Sequence, residues 1–456
     1  MRGLAAAAIL SFLAGCGETT AGAPKVSSVK DAAPNPDAAA DAGLSDRPIS
    51  GPDVRISDAA PDSRSPDGPL DGAPTVLDAH KPDAAGPDAQ PADAAVKPPA
   101  APGPIWLVQI SDTHVGETPA TGANLTAYLD QVLPVIAPVA TLHTGDLIDD
   151  GGEAVQWAEY DTVTTGHTPA YPEYLEIPGN HDVKHDGLMS YELHAHTFQA
   201  GDGLFGETDL DTPAGTIRLI RTNTADTTLN AVNVLGYFGD QQMNALLAAP
   251  EPAEPPLFTL VLGHHPIGGV DGLFLLDSNT RMQRVFDRFQ PAAYLCGHIH
   301  IPFQAWVGGT LQLQAGSLGK ENLGSPSFMV IGYDAGQLTA RSVNLDGAAT
   351  PPVQWPLTLV TAPPDAALGG VNPKASAVAP GALVAVHALV FGPDGPDALP
   401  PVEARFDHGQ SVRLAPQGGP VWMGEIAAPI AAGAHTLSVG PQGAGPHTVT
   451  VQVSAQ

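Results

Sequence analysis

Ile105-Trp106-Leu107-Val108-Gln109-Ile110-Ser111-Asp112-Thr113-His114 is the stretch on which the reading of this 456-residue chain turns. An apolar run broken only by Gln109 empties into a short polar segment, the signature of a buried strand that ends in a loop. The pattern recurs downstream. Val139 to Leu142 leads to Gly145-Asp146-Leu147-Ile148-Asp149, and Tyr174 to Ile177 leads to Gly179-Asn180-His181-Asp182. Phe258 to Leu262 leads to Gly263-His264-His265-Pro266, and Ala292 to Cys296 leads to Gly297-His298-Ile299-His300. Each loop, often opened by Gly, presents a hard oxygen or an imidazole. Ligands of open α/β sheets bind beyond the carboxyl ends of the strands, so all five loops are expected to converge on one crevice.

Working outward, Asn124 to Ile136 carries Leu125, Tyr128, Leu129 and Val132 at helical spacing, and Gly239 to Leu247 and Arg281 to Phe289 read the same way. Phe328 to Tyr333 reads as one more buried strand. Strands alternating with helices argue for a layered α/β domain over 105–349. Pro351, Pro352, Pro363 and Pro364 punctuate a boundary, and beyond it strand alternation takes over. Gly433-Ala434-His435-Thr436-Leu437-Ser438-Val439 is echoed by Gly445-Pro446-His447-Thr448-Val449-Thr450-Val451, which predicts neighbouring antiparallel strands. Residues 350–456 are therefore expected to form an all-β, loosely immunoglobulin-like sandwich.

The other end of the chain is different material. Residues 1–16 read as a signal segment: Arg2 supplies a positive start, and Leu4 to Leu13 is apolar but too short to span a bilayer. It closes on Leu13-Ala14-Gly15-Cys16, which resembles a bacterial lipobox with Cys16 as the lipidated residue. Residues 17–104 contain 16 Pro, 14 acidic and 7 basic residues and no Phe, Trp or Tyr. Such a segment cannot bury enough apolar area to offset its ordering entropy, and it reads as a disordered tether. The expectation is an exported protein anchored to the bacterial envelope through an N-terminal lipid alone. Gly17 after the Cys favours the outer membrane under enterobacterial sorting rules.

Charge excludes some partners. The chain holds 19 Lys+Arg against 48 Asp+Glu, for a net charge of -29. A field of that sign does not attract a nucleic-acid polymer or an anionic membrane surface. An anionic substrate needs local neutralisation, most simply by metal ions. Cys16 and Cys296 are the two cysteines, so no disulfide framework exists. Cys296 lies in an apolar strand and reads as a buried small hydrophobe.

Any one of the five loops is a weak signal; in this order, each after an apolar strand, they are specific. The set resembles the calcineurin-like metallophosphoesterase superfamily, whose pattern is Asp-x-His, Gly-Asp-x-x-Asp, Gly-Asn-His-Asp/Glu, an apolar strand ending in His, and Gly-His-x-His. The resemblance covers about residues 105–345. It implies a β-sandwich flanked by helices and a centre for two divalent ions. One ion would be held by Asp112, His114, Asp146 and His300, the other by Asp146, Asn180, His264 and His298. It also implies His181 as the residue that meets the phosphoryl group and protonates the leaving oxygen, with Asp149 behind it. The expected reaction is hydrolysis of a small phosphoester by a hydroxide shared between the ions. Independently, a mixed imidazole, carboxylate and amide set suits Mn, Zn or Fe and not a Cys-rich structural zinc.

Departures narrow the class. Protein Ser/Thr phosphatases of the superfamily carry Arg where this chain has Asp150, and Glu where it has Asp182. Purple acid phosphatases carry Tyr in the second motif and lack the His of the first. What remains resembles bacterial phosphodiesterases, with a phosphomonoesterase or an inactive surface-binding lipoprotein as alternatives. Asp182 reads as a loop support, and His265 competes with His264 for the ligand position. His143 reads as core or strand edge. His185, His194 and His196 are candidate pocket residues, and Lys320 and Arg221 are candidates for substrate contact. The C-terminal sandwich is expected to pack on the enzyme domain, aid oligomerisation or bind a surface partner.

Overall fold

The computed structural model describes residues 103–167, 173–185, 188–199, 201, 203–225, 235–267, 277–320 and 324–455. The signal segment, Cys16 and the tether up to residue 102 lie outside the described residues.

Among the described residues the α/β part contains eleven strands: β1 (Ile105–Ile110), β2 (Thr141–His143), β3 (Tyr174–Glu176), β4 (Gly206–Thr212), β5 (Gly215–Arg221), β6 (Phe258–Leu262), β7 (Ala293–Cys296), β8 (Phe303–Val307), β9 (Thr310–Gln314), β10 (Ser327–Asp334) and β11 (Gln337–Asn344). They form two sheets, ordered β11-β10-β1-β2-β3 and β4-β5-β6-β7-β9-β8. Strands β1, β2 and β3 are parallel, as are β5, β6, β7 and β9, while β10 and β11 on one side of the first sheet and β4 and β8 at the two edges of the second pair antiparallel.

The period-two alternation of β1 decides which layers meet. Ile105 and Leu107 pack with Leu142, Leu219, Leu260, Leu262 and Leu295 in a core between the two sheets. Val108 and Ile110 point the other way, into a core shared with helical residues Tyr128, Leu133, Ile136 and Trp157. In β6, Leu260 and Leu262 face the inter-sheet core, while Val261 packs with Met243, Met282 and Phe286. The domain is therefore helix, sheet, sheet, helix in section. Apolar burial of this kind contributes roughly 25 cal/mol per Å².

The helices are α1 (Pro119–Ala127), α2 (Leu133–Ile136), α3 (Ala154–Thr165), α4 (Met189–His194), α5 (His196–Gln199), α6 (Asp240–Leu247) and α7 (Ser278–Phe289). The helix expected over 124–136 begins earlier, at Pro119, and is not one α-helix. Residues Tyr128–Val132 are a π stretch joining α1 to α2. Pro134 lacks the N–H that would bond the carbonyl four residues back, and a proline ring clashes there in a regular α-helix, which favours a wider turn before it. Sequence periodicity missed α3, the β4–β5 and β8–β9 hairpins and β11. In β4 only Leu210 is apolar, and β5 carries Arg218, whose guanidinium pairs with Asp209 and Glu207 across the hairpin.

The C-terminal region is all β: β12 (Leu357–Ala362), β13 (Leu383–Phe391), β14 (Val402–Phe406), β15 (Val412–Arg413), β16 (Ala415–Gly418), β17 (Val421–Ala427), β18 (Gly433–Pro441) and β19 (His447–Val453). Two four-stranded sheets, β12-β13-β17-β16 and β15-β14-β18-β19, enclose a core of Val386, Ala388, Val390, Val402, Ala404, Leu437, Val439, Val449 and Val451. The echoed motifs pair antiparallel, with Leu437 opposite Val449 and Val439 opposite His447. The outer face of β12 and β13 is also buried: Leu357, Leu359, Leu389 and Phe391 join Phe328 and Val330 of β10 in the helix-side core of the α/β domain.

His447 sits at that seam. Its Nδ1 accepts the Val360 amide at 3.0 Å, and burial, with Arg341 nearby, lowers its pKa to about 3. A protonated ring cannot accept that bond. The folded pKa lies below the unfolded value of 6.5, so this contribution is complete above pH 6.5 and is lost as pH falls toward 3. Urea unfolding at pH 7 and at pH 4.5 is expected to show a loss of stability that His447→Asn, whose Oδ1 can accept the same amide, reduces by about 1–2 kcal/mol. Equal losses in the two proteins would refute the assignment.

Candidate metal centre

The five strand-end loops meet at the carboxyl ends of β1, β2, β3, β6 and β7. Backbone bonds lace them together: Asp112 N donates to Gly145 O at 2.9 Å, His114 N to Asp146 O at 3.1 Å, and Gly297 N to His264 O at 2.9 Å. The loops turn so sharply that five side chains of the cluster sit on left-handed backbone. Asp112 has φ 53°, His114 43°, Asp146 55°, His298 72° and His300 63°. Such conformations cost about 1–3 kcal/mol each in a non-glycine residue and persist only where the surroundings enforce them.

Two glycines are needed for close approach. A Cβ on Gly179 would lie 2.2 Å from both Asp146 N and Asp146 Oδ1. One on Gly297 would lie 1.9 Å from Ser111 Oγ and 2.3 Å from Asp112 Oδ2.

Among the described residues the loops bring together three groups of donors, one of them His114, Asp149 and His181 at the rim; the other two are buried. Asp112, His114, Asp146 and His300 each offer an atom within 4.8 Å of the others, and so do Asp146, His264 and His298. Asp146 belongs to both buried groups. In the first, His300 Nε2 is 3.3 Å from Asp112 Oδ1, and His114 Nε2 is 3.7 Å from Asp146 Oδ2. In the second, His264 Nε2 is 3.3 Å from Asp146 Oδ2, and Asn180 Oδ1 lies 3.0 Å from His264 Nε2 and 2.8 Å from His298 Nδ1. All seven residues are buried.

The electrostatics call for a cation. Burial alone would raise both carboxyls, yet His300 and His264 hold Asp112 well below the usual range, and His264 and His181 do the same for Asp146. Burial would lower His264, but Asp146 and Asp112 raise it to about 9. Burial, with His264 beside it, lowers His298 to about 3. Imidazole nitrogens also face one another, His114 Nε2 and His300 Nε2 at 3.1 Å and His298 Nδ1 and His264 Nε2 at 3.3 Å. Two buried carboxylates among ring nitrogens that share too few protons are a donor set that divalent ions fit.

The rest of the site surrounds this cluster. His181 N donates to Asp146 Oδ1 at 2.8 Å. Its Nδ1 is 2.6 Å from Asp149 O and 3.2 Å from Asp149 Oδ1, with Lys184 Nζ at 2.6 Å. Asp149 Oδ1 also lies 3.5 Å from His114 Nδ1. Burial would raise Asp149, but His114, His181 and Lys320 hold its carboxyl far below the carboxylate range. Asp182 supports the loops: its Oδ1 accepts Leu147 N at 2.8 Å and Ile148 N at 3.1 Å, and its Oδ2 accepts Gly179 N at 2.8 Å. Lys184, Glu117 and Gln156, whose Oε1 accepts Asp149 N at 3.1 Å and Asp150 N at 2.8 Å, were not singled out from sequence. The one local signal was for Lys184, one turn after His181.

Other candidates fall elsewhere. His264 is in the cluster, whereas His265 Nδ1 faces Thr224 Oγ1 at 3.0 Å. His143 is buried with Nε2 3.0 Å from Thr113 Oγ1. His185, His194 and His196 pair with Asp150, Asp161 and Thr164. Arg221 is no rim residue: it is buried in β5, with Nε donating to Thr208 Oγ1 and NH1 to Gly203 O. Burial pushes the Cys296 thiol well up, away from nucleophilic use.

Residues 105–302 match the family model described as calcineurin-like phosphoesterase. Transmembrane protein 62 of Mus musculus is 24% identical over 295 residues, 59% of this chain and 43% of that protein. A protein of Arabidopsis thaliana named as a metallophosphoesterase is 24% identical over 226 residues, 44% of this chain and 30% of its own length. The chain thus spans less than half the length of these curated relatives. A purple acid phosphatase structure from yellow lupin (Lupinus luteus) aligns with 13% identity, 53% of this chain, 51% of that chain and a TM-score of 0.38. The matched segment contains every residue of the buried His/Asp cluster.

Asp146→Asn keeps the shape of the shared side chain and removes its charge. Metal bound per chain, read by elemental analysis after dialysis against Mn or Zn, is expected to fall by about half or more. Content at the wild-type level would contradict a shared carboxylate.

Proposed function

We propose, from the premise that residues 105–302 form a calcineurin-like phosphoesterase domain, that the chain hydrolyses a small phosphodiester at a centre for two divalent ions. The observation that carries this reading is Asp146, one buried carboxylate common to two groups of donors, with His181 on its rim. Asp112, His114, Asp146 and His300 would hold one ion; Asp146, Asn180, His264 and His298 the other. When bound, the ions supply Lewis acidity to a phosphoryl group and lower the pKa of water. Mn, Zn and Fe all suit the donors.

The chain's own groups do the rest. His181 turns its Nδ1 edge to Asp149, which leaves the opposite edge, Nε2, to carry a proton to the leaving oxygen. Asp149 fixes that orientation. The backbone amide of His181, spent on Asp146, ties the acid loop to the metal loop.

A diester is favoured over a monoester by charge. The position that carries Arg in protein phosphatases is Asp150, tied to His185. The nearby ammonium groups are engaged as well, Lys320 with Asp149 and Glu117, and Lys184 with Asp149 O. A singly charged diester asks less of such a rim than a dianionic monoester does.

The same proposal covers the setting. Cys16 would carry lipid, residues 17–104 would act as a spacer, and the domain would act at the bacterial envelope, the outer membrane being favoured. Two facing four-stranded antiparallel sheets support an immunoglobulin-like C-terminal sandwich open to a surface partner.

The test compares bis-p-nitrophenyl phosphate with p-nitrophenyl phosphate on the purified protein loaded with Mn or Zn. The diester is expected to turn over faster, and His181→Ala is expected to lower kcat about 10²–10⁴-fold with metal retained. Faster turnover of the monoester would replace the diester reading, and unchanged kcat in the variant would remove His181 from the chemistry.

A further inference from the structure

Lys320 was a candidate for substrate contact, but the structure gives its ammonium other work. The segment after β9 is strapped to the Asp112 loop. Ser317 Oγ donates to Asp112 O at 2.7 Å, Gly319 N to Asp112 O at 3.1 Å and Leu318 N to Ser111 O at 2.9 Å. Lys320 N donates to Ser317 Oγ at 2.7 Å, and Asn124 Nδ2 to Gly319 O at 3.2 Å. Gly319 passes so close that a Cβ there would lie 1.9 Å from Thr113 O. The backbone that launches Lys320 is thus as tightly held as the candidate ligand loop itself.

From that base the side chain, 10% exposed, reaches between two carboxylates. Lys320 Nζ is 3.2 Å from Asp149 Oδ1 and 3.2 Å from Glu117 Oε2. Asp149 Oδ1 is the same oxygen that lies 3.2 Å from His181 Nδ1 and 3.5 Å from His114 Nδ1. Glu117 belongs to the turn after His114, its N donating to His114 O at 3.1 Å. One ammonium therefore joins the loops after β1, β2 and β9. Without it, Asp149 would stand beside Glu117 and near Asp146 and Asp150 with one cation fewer to hold it inward.

We propose that Lys320 is a positioning residue: through Asp149 it fixes the His181 ring, and it does not bind the substrate. The proposal rests on the phosphoesterase reading for its kinetic consequence and on the contacts above for its structural one.

The test uses the full chain loaded with Zn. Lys320→Met keeps the stem and removes the charge, and Lys320→Arg restores a cation that can join two carboxylates. For bis-p-nitrophenyl phosphate, Lys320→Met is expected to lower kcat about 10–100-fold, with KM within about twofold of wild type and zinc content unchanged. Lys320→Arg should recover most of kcat. Lys320→Met combined with Asp149→Asn should lose no more than Asp149→Asn alone, because both act on one contact. A rise in KM with kcat retained would make Lys320 a substrate contact and overturn the proposal, as would independent losses in the double variant.

Imidazole 15N NMR separates this from the reading of the reaction. The His181 signals, identified by their absence in His181→Ala, should move in Lys320→Met in the same sense as in Asp149→Asn. His181 signals that move in Asp149→Asn but stay fixed in Lys320→Met would overturn the proposal whatever the activity. The expected shift in a wild-type background that hydrolyses neither ester would uphold the positioning contact and reject the reaction instead.

Discussion

The buried carboxylate of Asp146 is the constraint on which the other features of the site depend. One oxygen takes the His181 amide, and the other faces His264 and His114. No single strand end can supply that many partners, so loops from both sheets must reach it. Bringing them there puts Asp112, His114, Asp146, His298 and His300 on left-handed backbone and leaves no room for side chains at Gly179 and Gly297. Strain on that scale, about 1–3 kcal/mol per residue, is sustained only by a scaffold that does not yield. The inter-sheet core of Leu107, Leu142, Leu260, Leu262 and Leu295, fully or almost fully buried directly behind the loops, is that scaffold.

The C-terminal sheets take part in the same scaffold. A strand in a simple two-sheet sandwich buries one face. Here β13 buries both, Val386, Ala388 and Val390 toward its own partner sheet and Leu389 and Phe391 toward the α/β domain. That second face meets Phe328 and Val330 of β10, the strand hydrogen-bonded to β1. The sheet that launches Asp112 and His114 is thus braced from its outer side by residues more than 240 positions later in the chain. Any partner function of the C-terminal region would have to use surfaces other than this one.

The sequence was most legible where burial and chemistry coincide. β1, β6 and β7 are nearly continuous apolar runs that end in ligand-type residues, and runs of that kind are visible without any alignment. The five loop motifs then point at one place, and the structure brings all seven candidate ligand residues there. What stayed hidden depends on distant partners. β4 reads Gly-Glu-Thr-Asp-Leu-Asp-Thr and becomes a strand because β5 is beside it. The π stretch at Tyr128–Val132 follows from Pro134 acting on the turn before it, a local cause that a 3.6-residue period does not register. Lys184, Gln156 and Glu117 carry no motif of their own. Their roles come from loop closure, and only three-dimensional contact reveals them. Arg221 failed as a rim candidate for the opposite reason: in a chain with few cations every Arg looks available, and this one is enclosed by its own hairpin.

Scarcity of cations also shapes how the site can treat a phosphate. With 19 basic residues against 48 acidic ones, the protein offers an anion little general attraction. Around the cluster, Lys320 and Lys184 are engaged with Asp149, and Asp150 with His185. Under the proposed function, positive charge for a substrate would come from ions held at the Asp146 cluster. Substrate binding and metal binding would then be one event: without ions the acidic crevice would repel the anion. The protein's own side chains are left to set geometry, and they do so through charge pairs, Lys320 to Asp149 to His181, that need no contact with the phosphate at all.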